Sequence, residues 1–287
     1  MPADQGGPPS QRELLRRFGI RPVKRRGQNF LVDGNLARAI AAAVVAEGDA
    51  VLELGAGAGA LTAPLLGAGA RVTAVEVDRR LCELLREVHG DEPRFRLLEA
   101  DLAELDWDAA LAAAGDRPVV AGNLPYVLTS LILFALADRS DRLAAVVCMV
   151  QREVAQRLTA TVGRRDHGIL SVLIGSRFSV ELLHRVPPEV FWPRPDVQSA
   201  VVRLRPRREE AWTPQEWERF RRIVRRLFGQ RRKTLGRLLR TVGRLSDTAA
   251  QALLADTGID PAWRPERVSR QQWRLLARRW PDEEGEE

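Results

Sequence analysis

The sequence predicts an α/β domain, a parallel sheet with helices on both faces, followed by a small all-helical domain. Three observations carry this. Apolar strand-like runs alternate with helical stretches between residues 50 and 150. A glycine-rich turn joins the first of those strands to a helix. Beyond the charged, proline-containing segment Arg205-Pro206-Arg207-Arg208-Glu209-Glu210 the strand-like runs cease. The boundary is expected between residues 206 and 207, giving domains 1–206 and 207–287.

Taken in order, Ser10-Gln11-Arg12-Glu13 has capping-box spacing and predicts a short helix to Phe18, stopped by Gly19. Asp33 is placed to cap an Ala-rich helix that ends at Gly48. Strands are expected at Ala50–Leu54, Arg71–Glu76, Phe95–Glu99, Pro118–Gly122, Ala144–Val150 and Ser199–Leu204. Helices are expected at Ala60–Leu66, Arg79–Val88 and Leu128–Ala137, then in the second domain at Pro214–Phe228, Gln230–Val242, Ser246–Thr257 and Pro265–Trp280.

Composition narrows the function classes. At 45% hydrophobic and 29% charged residues, the chain has enough apolar surface for a full core and is not of the disordered type. The longest apolar run, 127–137, falls short of the roughly 18–20 residues a membrane span needs. Residues 1–10 are polar and rich in glycine and proline, unlike a signal peptide. Two distant cysteines suit a reducing compartment, so a cytoplasmic location is expected. Three scattered histidines suggest no metal site.

The strongest local signal is Glu53-Leu54-Gly55-Ala56-Gly57-Ala58-Gly59 after the first strand. Glycines there let the backbone turn sharply and approach a bound nucleoside. Glu76 ends the next strand, 21 residues beyond Gly55, close to the spacing at which an acidic side chain grips ribose hydroxyls. Dinucleotide sites share this pattern. Glu53, however, would oppose a pyrophosphate and suits a cationic sulfonium cofactor. Asp101, after the third strand, faces the same crevice and can accept a hydrogen bond from an adenine amino group.

The second signal is Asn123-Leu124-Pro125-Tyr126, after the fourth strand and on the same rim. In isolation the string is an ordinary turn with an aromatic residue. At this position it fits methylation of an exocyclic base amine, whose lone pair is delocalised into the ring. An Asn carbonyl and a nearby backbone carbonyl can accept both N–H bonds and leave a pyramidal nitrogen facing the methyl donor. Pro125 fixes the turn, and the ring of Tyr126, the only tyrosine, can stack on an extruded base.

On these residues the sequence resembles the small-subunit ribosomal RNA adenine dimethyltransferases of the KsgA/RsmA type, over nearly its whole length. Gly27-Gln28-Asn29-Phe30-Leu31 is similar to the family's N-terminal cofactor motif, and Val75-Glu76-Val77-Asp78 to its ribose-binding strand end. Phe191-Trp192-Pro193-Arg194-Pro195 resembles the segment that follows the catalytic loop. Phe228-Gly229-Gln230-Arg231-Arg232-Lys233-Thr234 and Gly258-Ile259-Asp260-Pro261 resemble signatures of the helical domain. The resemblance implies a Rossmann-like class I S-adenosylmethionine-dependent methyltransferase fold. It implies cofactor contacts from Gln28, Asn29, Leu31, Glu53, Gly55, Gly57, Glu76, Asp101 and Asn123. Asn123, Leu124, Pro125 and Tyr126 would position the adenine amine, with Phe191 completing the stack. The implied reaction is N6,N6-dimethylation of two adjacent adenosines near the 3′ end of small-subunit (16S) rRNA, by a monomer acting on immature 30S subunits. Val127-Leu128-Thr129 departs from the Asn-Ile-Ser often found after the tetrad, and Ala56 replaces a common proline. Arg26 stands where an apolar residue often precedes the Gly-Gln-Asn. None removes a group the chemistry requires.

Net charge is +7, and 43 of the 45 basic residues are arginine, a bias that a GC-rich genome would also produce. Clustering is more telling. Arg221 to Arg244 holds ten basic residues and no acidic one, which leaves the rest of the chain slightly acidic. Arg222, Arg225, Arg226, Arg231, Arg232 and Lys233 are expected to meet RNA phosphates, with Arg25 and Arg26 as a second cluster. Three alternatives stand beside this: a large-subunit (23S) rRNA dimethylase of the macrolide-resistance type, a non-catalytic RNA-binding assembly or transcription factor, and a nicotinamide-dependent oxidoreductase.

Overall fold

The computed structural model describes residues 11–22, 28–209 and 211–281. The strands are β1 (Phe30–Leu31), β2 (Ala50–Leu54), β3 (Arg71–Glu76), β4 (Phe95–Glu99), β5 (Val119–Asn123), β6 (Val146–Gln151), β7 (Phe178–Val186), β8 (Phe191–Trp192) and β9 (Ser199–Pro206). The helices are α1 (Gln11–Arg17), α2 (Gly34–Val45), α3 (Thr62–Gly67), α4 (Arg79–His89), α5 (Trp107–Ala114), α6 (Thr129–Asp138), α7 (Arg152–Leu158), α8 (Ile169–Arg177), α9 (Pro214–Phe228), α10 (Leu235–Thr241), α11 (Asp247–Thr257) and α12 (Arg270–Arg279).

Seven strands form one sheet in the order β4-β3-β2-β5-β6-β9-β7, and β1 pairs with β8 in a separate two-stranded ladder. Strands β2 to β6 pair in parallel, while β9 runs antiparallel to β6. All five residues of β2 are buried, as a strand covered on both faces requires. The order reverses between β2 and β5. There the chain leaves β2 toward β3 on one side and returns as β5 on the other, opening a crevice at the carboxyl ends. Gly122 makes that junction possible. A Cβ there would lie 2.4 Å from the Leu54 carbonyl oxygen on the adjacent strand.

Local signals read from the sequence are realised in detail. Asp33 accepts from the backbone N–H groups of Asn35 and Leu36, both at 2.9 Å, and so starts α2. Gly19 takes φ +60° just after α1. The second unit differs from the expectation. The chain divides into residues 1–155 with 180–206, and 156–179 with 207–287. The helical unit therefore also takes up α8, which packs on α9 and α12. Six of the nine residues of α8 are buried, so no amphipathic stripe marks it in the sequence. Strand β7 was equally unmarked, because its burial does not alternate. The helix expected from Gln230 begins instead at Leu235. Thr234, extended at φ −77° and ψ 155°, precedes it, and 229–233 form a turn closed by Lys233 N–H to Gln230 O. The last helix starts after Ser269, whose hydroxyl and Gln272 form a reciprocal cap.

Gly122→Ala should destabilise the chain by about 3 kcal/mol, because two strands must part to admit the methyl. Urea unfolding measures this. An unchanged midpoint would mean that the close approach of β5 to β2 is not a constraint.

Candidate active site

The site begins where β2 ends. Gly55, Gly57 and Gly59 take φ of +67°, +59° and +80°, the left-handed region that favours glycine. The N–H groups of Gly55 and Ala56 both reach the Val75 carbonyl, and Gly57 N–H donates to Glu76 Oε2 at 2.8 Å. Glu76 Oε1 accepts from Val77 and Asp78 N–H. The carboxylate at the end of β3 therefore shapes the glycine turn and keeps lone pairs for a ligand. Burial pushes its pKa up, while those three amides pull it back.

Glu53 is more deeply enclosed, at 1% exposure. Thr62 at the start of α3 donates its hydroxyl to Glu53 Oε2 at 2.7 Å. Desolvation pushes the Glu53 carboxyl up to about 8, with nearby Glu76 adding to the shift and Thr62 opposing it.

The second wall comes from β5 and the turn after it. Leu124 N–H donates to Met149 O on β6, which anchors the turn to the sheet. Pro125 O accepts from Leu128 N–H and from the Thr129 hydroxyl, both at 3.0 Å, so the turn closes onto α6. Asn123 Nδ2 donates to the Asn29 carbonyl at 2.9 Å, a bond that fixes which end of the amide faces which way. Asn123 Oδ1 is left buried without a hydrogen-bond partner. Tyr126 is held at its far end, its hydroxyl 2.8 Å from Ser199 Oγ at the start of β9.

These walls enclose a cavity of about 340 Å³. The structure brings Gln28, Asn29, Leu31, Glu53, Gly55, Gly57, Glu76, Asp101, Asn123, Leu124, Pro125 and Tyr126 together on its lining. Asp101 spends Oδ1 on Ala103 N–H, 2.8 Å away. Phe191 requires a correction. It is 2% exposed, sits in the core opposite Leu31 across the β1–β8 ladder, and is not part of the cavity wall. Its ring is spent on core packing that anchors β1, not on stacking at the cavity. Arg25 and Arg26 lie outside the described residues. In the second unit, Arg222 and Arg225 on α9 and Arg231 and Arg232 in the following turn are exposed, while Arg226 and Lys233 are half-buried. Phe220, Ile223, Val224 and Leu227 bury the opposite face of α9.

Sequence reasoning missed Gly122, Thr62 and Ser199. The glycine directly before the Asn was a visible signal. Thr62 and Ser199 are recruited from 9 and 73 residues away by the fold, and nothing local marks them.

The lining holds three carboxyl groups, Glu53, Glu76 and Asp101, and no Lys, Arg or His side chain among the described residues. A glycine cradle, buried acids without a cation and an unpaired amide oxygen fit a cationic nucleoside cofactor beside an amine-bearing substrate. The strand order, with its last strand antiparallel, and this cavity define a class I S-adenosylmethionine-dependent methyltransferase. The chain belongs to the ribosomal RNA adenine dimethylase family, whose model matches residues 21–280. The ribosomal RNA small subunit methyltransferase A of Anaeromyxobacter sp. (strain K) is 46% identical over 281 residues, 94% of this chain and 97% of that one. Its counterpart in Moorella thermoacetica is 39% identical over 273 residues, 92% and 94% of the two chains. The crystal structure of the 23S rRNA methyltransferase ErmE aligns with a TM-score of 0.66 at 27% identity, covering 88% of this chain and 99% of that one.

Glu53→Gln should reveal the cost of the buried carboxyl. Its folded pKa of about 8 lies above the ordinary 4.5, so the unfolded chain releases this proton first as pH rises. Wild-type stability should then fall between those values by at most ~1.4 kcal/mol per pH unit and flatten above the upper one. The melting-temperature advantage of E53Q should grow across that window. A constant difference at every pH would contradict the burial argument.

Proposed function

We propose that this chain transfers methyl groups from S-adenosylmethionine to N6 of two adjacent adenosines near the 3′ end of small-subunit (16S) rRNA. It would act as a cytoplasmic monomer on an immature 30S subunit. The single observation that carries the reading is the unpaired Asn123 Oδ1 in the cavity wall. A buried acceptor without a partner is costly unless a ligand satisfies it. An exocyclic N–H is such a ligand.

In this reading Gln28, Asn29, Leu31, Glu53, Gly55, Gly57, Glu76 and Asp101 hold the cofactor, which supplies an electrophilic methyl on a cationic sulfur. Asn123 Oδ1 and the Leu124 carbonyl accept the two N–H bonds of the adenine amine and draw its lone pair out of the ring. Asn29, by holding Nδ2, keeps Asn123 in the accepting orientation. Tyr126, pinned at Ser199, offers its ring to the plane of the base. No strong base is needed, because the nitrogen becomes acidic once methylated. The exposed arginines of α9 and the turn after it provide phosphate contacts. The small-subunit relatives at 39–46% identity favour this substrate over large-subunit rRNA. The intact Asn123 and Tyr126 argue against a purely binding role.

Labelled S-adenosylmethionine and unmethylated small subunits test the reading. Wild type should transfer label, and Asn123→Ala should lose at least ~100-fold in rate while retaining RNA affinity. Full activity in that variant would overturn the mechanism. Replacing Arg231, Arg232 and Lys233 with Gln should weaken subunit binding and flatten the log K against log salt slope by about 2–3. An unchanged slope would remove those residues from the interface.

A further inference from the structure

Glu53 is used by no proton transfer described above, yet it is the most enclosed acid in the cavity wall. Its partner is Thr62, through the hydroxyl and the backbone N–H. The charged groups facing it are few. Glu76 on β3 is a like charge held by three amides, and Asp101 lies beyond β4. Elsewhere on the elements packed against β2, Arg71 of β3 is bonded to Asp49, and Asp108 of α5 to Arg139 and Arg142. β5 and α3 carry no titratable side chain. No cation of the described lining neutralises Glu53.

From this enclosure we infer that Glu53 discriminates the sulfonium cofactor from its thioether product by binding the first as a carboxylate and the second as a neutral acid. Before binding, the carboxyl keeps its proton, since an ionised form would face only desolvation and Glu76. When a sulfonium enters, Glu53 releases that proton to solvent, and the carboxylate it leaves opposes the cation from a buried position, where the attraction is little screened. Once the methyl has left, the sulfur is uncharged and Glu53 takes a proton back from solvent. Glu53 then holds the product as a neutral acid. Cofactor affinity thus rises with pH toward 8 while product affinity does not follow it. This inference rests on the methyl-donor reading above.

Isothermal titration calorimetry of the full chain tests it, with S-adenosylmethionine and S-adenosylhomocysteine titrated in buffers of different ionisation enthalpy. At pH 7 wild type should release about one proton more than Glu53→Gln on binding the methyl donor, and no more than it on binding the product. Comparison with E53Q cancels the titration of the ligands' own amino groups. Across pH 6.5–7.5 the preference of wild type for the donor should grow roughly tenfold relative to E53Q. Thr62→Val, which removes the hydroxyl that favours the carboxylate, should move this transition to higher pH, and it serves if E53Q does not fold. Equal proton release by wild type and E53Q, or an unmoved transition in T62V, would overturn the inference and leave the cofactor reading standing. Binding of neither ligand would overturn both.

Discussion

The hydrogen bond from Asn123 Nδ2 to the Asn29 carbonyl is the contact on which the site depends. It joins residues 94 apart in sequence and ties the N-terminal segment before β1 to the carboxyl end of β5. An Asn amide is two-faced. Once its NH₂ is committed to a carbonyl, its oxygen is committed to the other direction. The sheet supplies the rest of the constraint. Leu124 is anchored on β6, and Gly122 lets β5 lie against β2 closely enough to bring the tetrad beside the glycine turn. The cost is one buried acceptor left without a partner.

Around that oxygen the electrostatics are one-sided. Three carboxyl groups line the cavity, and the chain's cluster of ten basic residues runs from Arg221 on α9 through α10 to Arg244 just beyond it. Surfaces of opposite sign, one suited to a cation and one to a polyanion, thus lie in different parts of the chain. That division was concealed in the net charge of +7, which describes neither surface.

Much of this was legible before any coordinates. Strands β2, β3 and β4 begin and end at the expected residues, and β2, buried along its whole length, reads as an unbroken hydrophobic stretch. Helix α9 spans the expected Pro214–Phe228, and Thr213 and Glu216 form its capping box. Of the expected residues that line the cavity, those from Glu53 to Tyr126 were legible because motifs on strand ends converge at a switch point, whereas Gln28, Asn29 and Leu31 came from the family resemblance alone. What stayed hidden were contacts made by the fold alone. Thr62 and Ser199 are unremarkable hydroxyls until tertiary structure sets them against Glu53 and Tyr126. Phe191 was expected to complete the stack on the base, whereas the β1–β8 ladder turns it into the core. Helix α8 and strand β7 escaped because neither carries an amphipathic period.

The pairing of an acid-lined methyl-donor cavity with an unpaired amide acceptor makes one claim above the others, that the substrate amine belongs to adjacent adenines of the small-subunit rRNA. Primer extension across both rRNAs, after the chain has acted on unmethylated ribosomal subunits, tests it most directly. Stops at two neighbouring adenosines near the 3′ end of the small-subunit RNA, and none in the large subunit, are the predicted result. Stops confined to the large-subunit RNA would contradict the account.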